Sequence, residues 1–169
     1  CDGYTLERMA PGAVVLPGGT EEVSEILAFL YERGIPFIPR GAGTSLSGST
    51  IAVQGGVVVG LSRMRKIVEV DLANRLAVVE AGAVNLWVTH AVESKGYHYA
   101  PDPSSQGACT IGGNVATNAG GPHTLKYGVT LNHILGVEMV LADGTVVNLG
   151  GKVDDPLGYD LAGFVVGSE

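Results

Sequence analysis

The chain has 169 residues, 46% of them hydrophobic and 16% charged, with a formal net charge of −7. That length and apolar content suit one domain, or two small lobes sharing a cleft, and exclude a disordered chain. The acidic balance excludes nucleic acid as a partner, because phosphate-backbone binding relies on clustered Lys and Arg, and the densest group here (Arg63, Arg65, Lys66) reads as a solvated turn.

In chain order, residues 13–16 predict a short strand ending at Pro17-Gly18. Thr20 reads as a helix N-cap, with Glu21 and Glu22 in the first turn where the dipole favours anions. Val23, Ile26, Leu27 and Leu30 then follow at the spacing of an amphipathic helix, which Gly34 ends and Pro36 prevents from continuing. Residues 36–39 predict a second strand. The apolar run 57–61 predicts a buried third, and 67–71 with 76–80 a hairpin. A helix is predicted from Asn85 to Gly96, with Trp87, Val88, Ala91 and Val92 as its buried side. Residues 134–142 and 145–149, joined by Asp143-Gly144, predict a second hairpin. The class is α+β: a β-α-β lobe first, then strands joined largely by hairpins, without the helices a doubly wound parallel sheet needs.

Two neutral tracts interrupt this pattern. Residues 39–56 open on one cation, Arg40, and continue in glycine, serine and threonine; residues 103–125 repeat the composition. Glycine reaches φ > 0 freely, so such loops can aim several backbone N–H groups at one point and form a nest for phosphate. A flexible linker has the same composition, but it has no need of the apolar Leu46, Ile51, Val53, Ile111 and Val115 that punctuate these tracts. Gly41-Ala42-Gly43 lacks the third glycine and following helix of a Rossmann fingerprint, since position 46 is Leu, and a Walker loop fails for want of Gly-Lys-Ser/Thr. The pattern points to a large ligand held mainly by backbone and small hydroxyls.

Residues 39–48, Pro-Arg-Gly-Ala-Gly-Thr-Ser-Leu-Ser-Gly, resemble the first FAD-diphosphate loop of the vanillyl-alcohol oxidase and p-cresol methylhydroxylase family. Pro101-Asp102-Pro103-Ser104-Ser105 and residues 109–121 resemble its second FAD segment. The resemblance covers nearly the whole chain and is nearest the branch of glycolate oxidase flavin subunits and D-lactate dehydrogenases. It implies a two-lobed FAD-binding domain, lobe one about 1–60 and lobe two about 61–169, the second built on a larger mixed or antiparallel sheet with helices. It further implies that Arg40, Gly41, Ala42, Gly43, Thr44 and Ser45 hold the diphosphate and that Ser47 lies towards the flavin. Across the cleft, Pro101, Asp102, Ser104, Thr110, Gly112, Gly113, Asn114, Thr117, Asn118, Gly120 and Gly121 would contact FAD. Val166-Gly167-Ser168-Glu169 resembles the start of a further FAD-contacting segment of the family, so Glu169 would contact FAD as well.

Thr44 stands where some members carry a flavin-linking histidine, and Gln106 where others carry a cysteinyl link, so the resemblance implies non-covalent FAD. Asp102 either contacts FAD or orders its loop by capping N–H groups. Cys1 and Cys109 give no disulfide framework, which fits a reducing compartment, and Cys109 reads as a small buried residue. His90, His98, His123 and His133 share no metal-ligand spacing, and no metal or catalytic residue is assigned. His90 reads as a helix-surface residue, while His123 lies beside the second tract. The uncharged window 41–62 is too polar to span a bilayer, and no secretory signal is visible.

The chain begins without Met and stops directly after an apolar run, so it is expected to be a piece of a longer protein whose substrate-binding cap lies elsewhere. The expected function is the FAD-binding domain of a 2-hydroxy-acid (glycolate or D-lactate type) dehydrogenase, with hydride passing from substrate to flavin N5. Expected partners are the small hydroxy acid and other subunits of a glycolate oxidase complex. The expected location is the cytoplasm, or the membrane periphery through those subunits. The alternatives are a UDP-N-acetylenolpyruvoylglucosamine reductase-like flavoenzyme and a non-catalytic FAD-binding module.

Overall fold

The computed structural model describes residues 2–3, 6–53, 55–152 and 158–169. Cys1, and Gln54 of the first tract, lie outside the described residues. The chain opens as the periodicity predicts, with strand β1 (Ala13–Val15), helix α1 (Thr20–Glu32) and strand β2 (Phe37–Arg40). Gly19, not Thr20, is the N-cap of α1. Thr20 is already helical, and its hydroxyl is drawn away to Glu138 Oε1 at 2.6 Å. Gly34 ends the helix as expected, at φ +61°, with Ile35 N–H returning to Leu30 O.

Strand β3 (Val57–Gly60) inserts between the first two, giving a parallel sheet of order β1-β3-β2. All four of its residues are buried, as a central strand requires. Val23, Leu27 and Leu30 of α1 pack on Val57, Val59 and Met64 to form the first core. Parallel neighbours need a crossover, and between β2 and β3 that crossover is the first glycine tract.

Strands β4 (Ile67–Asp71) and β5 (Leu76–Val79) form the first expected hairpin. Helix α2 (Asn85–Val92) follows, and a 3-10 turn (Glu93–Lys95) carries it to Gly96. Its buried residues are Asn85, Val88 and Val92. Trp87 and Ala91, expected on that side, face outwards. The reason is that Asn85 is anchored inwards, its Nδ2 donating to Pro101 O at 3.0 Å, which sets the rotation of the helix. Val88 joins Ala83 and Ile111 in a second core.

The second tract becomes helix α3 (Ile111–Thr117), followed by α4 (Thr124–Tyr127) and a 3-10 turn (Thr130–His133). Strands β6 (Gly136–Val140) and β7 (Val146–Gly150) form the second expected hairpin, and α5 (Leu161–Val165) closes the described chain. Val140 packs against the first core, and Ser24 Oγ donates to Gly144 O at 2.6 Å, so this hairpin is docked on α1. The mixture of helices with parallel and antiparallel strands is α+β, as expected. Among the described residues no helix is long and apolar enough to cross a membrane.

Candidate functional site

The two glycine tracts meet. A Cβ built on Gly41 would overlap Thr110 Oγ1, so the first tract touches the N-cap of α3 with only a hydrogen in between. That cap is pinned from behind. Ile111 N–H donates to Ala83 O and Gly112 N–H to Ala81 O, both at 2.8 Å, and Thr110 Oγ1 accepts from Gly113 N–H. Segment 109–112 therefore lies along 81–85, and Gly112 lies so close to Ala81 that a Cβ there would approach Ala81 Cβ to 2.8 Å.

The first tract is built around Arg40. Its Nη1 donates to Thr50 O at 3.1 Å, and the guanidinium lies where a Gly43 side chain would stand. Gly43 has φ +71°, a conformation that suits glycine. Gly48 N–H donates to the buried Asp2 carboxylate at 2.8 Å, and Ile51 N–H returns to Gly48 O. The backbone N–H groups of Gly41, Ala42, Gly43 and Thr44 donate to no other described residue. They are donors in waiting, in a loop that also holds a cation.

A third strand of contacts joins the tracts at their other end. Glu169 N–H donates to Ala116 O at 2.9 Å, and its carboxylate accepts from Ser47 Oγ at 2.8 Å. The Ser47 hydroxyl also lies 2.8 Å from Ser45 Oγ.

Between the tracts, and running on between the two hairpins, is a cleft of about 1950 Å³. Pockets for drug-sized ligands measure roughly 300–1,000 Å³, so a larger and elongated molecule is accommodated. Arg40, Gly41, Ala42, Gly43, Thr44, Ser45, Thr110, Gly112, Gly113, Asn114, Thr117 and Glu169 line it, all expected site residues. Asn114 is 2% exposed, and its Nδ2 has no hydrogen-bond partner. A buried donor left unmade costs about 1–3 kcal/mol, so an acceptor from a ligand is the natural completion. Thr50 Oγ1, missed by the sequence reading, is also buried and unpaired, and Thr50 lines the same cleft from the first tract.

Other expected residues lie behind the wall. Pro101 is fully buried and receives Asn85. Asn118 Oδ1 accepts from Leu131 N–H, and Gly120 packs under Thr124 and Val129. Asp102 grips His123, Oδ2 on Nδ1 and Oδ1 facing the His123 N–H at 3.5 Å, with Gly121 packed against it. The imidazole hydrogen bond holds the Asp102 carboxyl below the usual carboxylate range, against a smaller opposing effect of burial. Ser104 is exposed in the turn after Pro103. His90 is exposed on α2, and Cys109 is buried, which pushes its thiol up. His98, Tyr99 and His133, unassigned from sequence, line the far end of the cleft. Burial there pushes the Tyr99 phenol up to about 12.

The donor set suits a long, diphosphate-bearing cofactor with ring edges that accept hydrogen bonds: unspent N–H groups in the first tract with a guanidinium and an unpaired hydroxyl in the same loop, and a buried unpaired amide donor in the second.

Comparison with known proteins agrees. The model of the FAD binding domain family matches residues 11–150. Glycolate oxidase subunit GlcD of Bacillus subtilis is 47% identical over 99% of this chain and 36% of its own length. D-lactate dehydrogenase of Archaeoglobus fulgidus is 43% identical over 92% of this chain and 35% of its own. Among solved structures, alkyldihydroxyacetonephosphate synthase superposes with a TM-score of 0.79 at 25% identity, covering 92% of this chain and 28% of that one. The chain spans about a third of the length of the curated relatives it matches.

Proposed function

The chain belongs to the FAD-binding domain family, and on that premise we propose that it is the cofactor domain of a flavin-dependent 2-hydroxy-acid dehydrogenase of the glycolate or D-lactate type. FAD bound here would accept hydride at N5 from the hydroxyl-bearing carbon of the substrate. The observation that carries the reading is the meeting of the two tracts around unspent N–H groups, with the unpaired Asn114 Nδ2 on the opposite wall.

In this proposal the backbone from Arg40 to Ser45 holds the diphosphate. Thr110, Gly112, Gly113, Asn114 and Thr117 line the flank of the cofactor, and Ser47 and Glu169 close the end towards the flavin. Pro101, Asp102, Ser104, Asn118, Gly120 and Gly121 shape the second wall from behind or at its rim. Thr44 cannot form a histidyl bond, so the cofactor is held without covalent attachment. Lobe one runs to about residue 60 and lobe two from there to 169. We assign the substrate clamp and the proton acceptor to the part of such a protein that this chain does not include. The Bacillus subtilis relative is named as a subunit, and we infer partner subunits here too, with a cytoplasmic location or a peripheral one through them.

The test uses the whole protein. Acid precipitation should leave all yellow colour in the supernatant; flavin retained by the precipitate contradicts non-covalent binding. Under anaerobic conditions, glycolate or D-lactate should bleach the bound flavin. Bleaching by NADPH, with none by any 2-hydroxy acid, would instead support the UDP-N-acetylenolpyruvoylglucosamine reductase-like alternative.

A further inference from the structure

Thr50 sits in the second half of the first tract, inside the turn closed by Ile51 N–H and Gly48 O at 2.9 Å. Its backbone is fixed from two sides. Gly48, two residues earlier, is tied to the Asp2 carboxylate, and the Thr50 carbonyl itself accepts from Arg40 Nη1. With the main chain held, the hydroxyl moves only by rotation about Cα–Cβ, a torsion that is stiff for a β-branched residue. Yet Oγ1 is buried with no hydrogen-bond partner, and Thr50 lines the cleft. A buried hydroxyl is ordinarily satisfied, often by bonding a nearby carbonyl. Thr130 does this in the same fold, donating to Ala119 O at 2.6 Å. The unmade bond at Thr50 therefore points to a group the protein itself does not supply.

The chemistry of that group follows from the neighbour. Arg40 is the one cation of the tract, and it reaches Thr50 O directly. Its positive charge favours an anionic acceptor at this turn. Resting on the FAD reading above, we propose that Thr50 Oγ1 donates to the diphosphate of FAD, while its carbonyl positions the Arg40 guanidinium beside the same group. A single residue thus supplies both a direct contact and the orientation of the local cation. The tract's grip on the diphosphate then extends past Ser45, to the turn closed between Gly48 and Ile51.

The experiment uses the whole protein stripped of flavin and titrated with FAD by quenching of flavin fluorescence. Thr50→Val keeps the shape and the carbonyl but removes the hydroxyl. It should raise the Kd for FAD by about tenfold, the order expected for losing one hydrogen bond to a charged acceptor. Thr50→Ser should restore binding to near the unsubstituted value. In the reconstituted protein, Thr50→Val should shift a phosphorus NMR resonance of the bound diphosphate and leave the visible flavin spectrum in place. An unchanged Kd, or phosphorus resonances that do not move, overturns the inference. Should Thr50→Val fail to fold, judged by far-UV CD, Thr50→Ala removes the same hydroxyl without an added methyl and is judged by the same outcomes. If the unsubstituted protein binds no FAD, the proposed function itself falls, which separates that failure from this one.

Discussion

Two side-chain-level contacts make direct predictions. Gly41→Ala places a methyl group against Thr110 Oγ1 and should cost about 1–3 kcal/mol of stability through overpacking. In a Thr110→Ala background the obstructing hydroxyl is gone, so the same substitution should cost much less. Urea unfolding of the four proteins checks this, and strict additivity would mean that the tracts do not touch there. The Asp102–His123 pair predicts a pH signature. The carboxyl is held low in the folded state, so its contribution is present above the unfolded value of about 3.9 and is lost as pH falls through the lower folded value. Asp102→Asn should therefore lower thermal stability at pH 6 and make little difference near pH 2, as read by melting curves. Much of this scale was legible in the sequence and some was not. The glycines of the first tract announced a tight loop, but only the structure shows that the space above Gly43 belongs to Arg40. A Gly43→Val variant would therefore disturb the guanidinium before it reached any phosphate. Asp102 read first as a cofactor contact and second as a loop cap, because its partner His123 lies far along the chain and spacing does not reveal it.

At the scale of elements, the hairpin β6–β7 rests on α1 through its turn. Gly144 has φ +87°, and a Cβ there would come within 2.6 Å of Ser24 O and 2.8 Å of Ala28 Cβ. Gly144→Ala should thus combine backbone strain with a clash and cost about 1–3 kcal/mol, lowering Tm by several degrees. An unchanged melting temperature would mean that the hairpin is not docked as described. Strands and hairpins were readable because their periodicity and turn residues are local properties. Helix α3 was not, since Gly112 and Gly113 are poor helix formers. Burial of Ile111 and the bonds from 111 and 112 back to 81–83 override that propensity. The rotation of α2 was misread for a related reason: Trp87 is apolar, but the inward pull comes from the polar Asn85.

At the scale of the whole molecule, the cleft exists because two irregular tracts, each fixed by a different core, are brought edge to edge. Their composition exposed them in the sequence, and the family resemblance told them apart as two walls of one site. Which residues face the cleft and which support it depends on contacts between distant parts of the chain, so Pro101, Asn118 and Gly120 could not be separated from Asn114 beforehand. The strand order β1-β3-β2 has one more consequence, for synthesis. The central strand is the last of the three to leave the ribosome, and among the described residues both outer strands pair only with it. Until Val57–Gly60 has emerged, the nascent chain carries two apolar strands and an amphipathic helix with no sheet to join. The residues of the first glycine tract, lying just ahead of β3, have by then already been made. Docking of that one strand therefore completes the three-stranded sheet and sets both ends of the loop in the same event, so a translational stall just before it would leave exposed apolar surface for chaperones to shield.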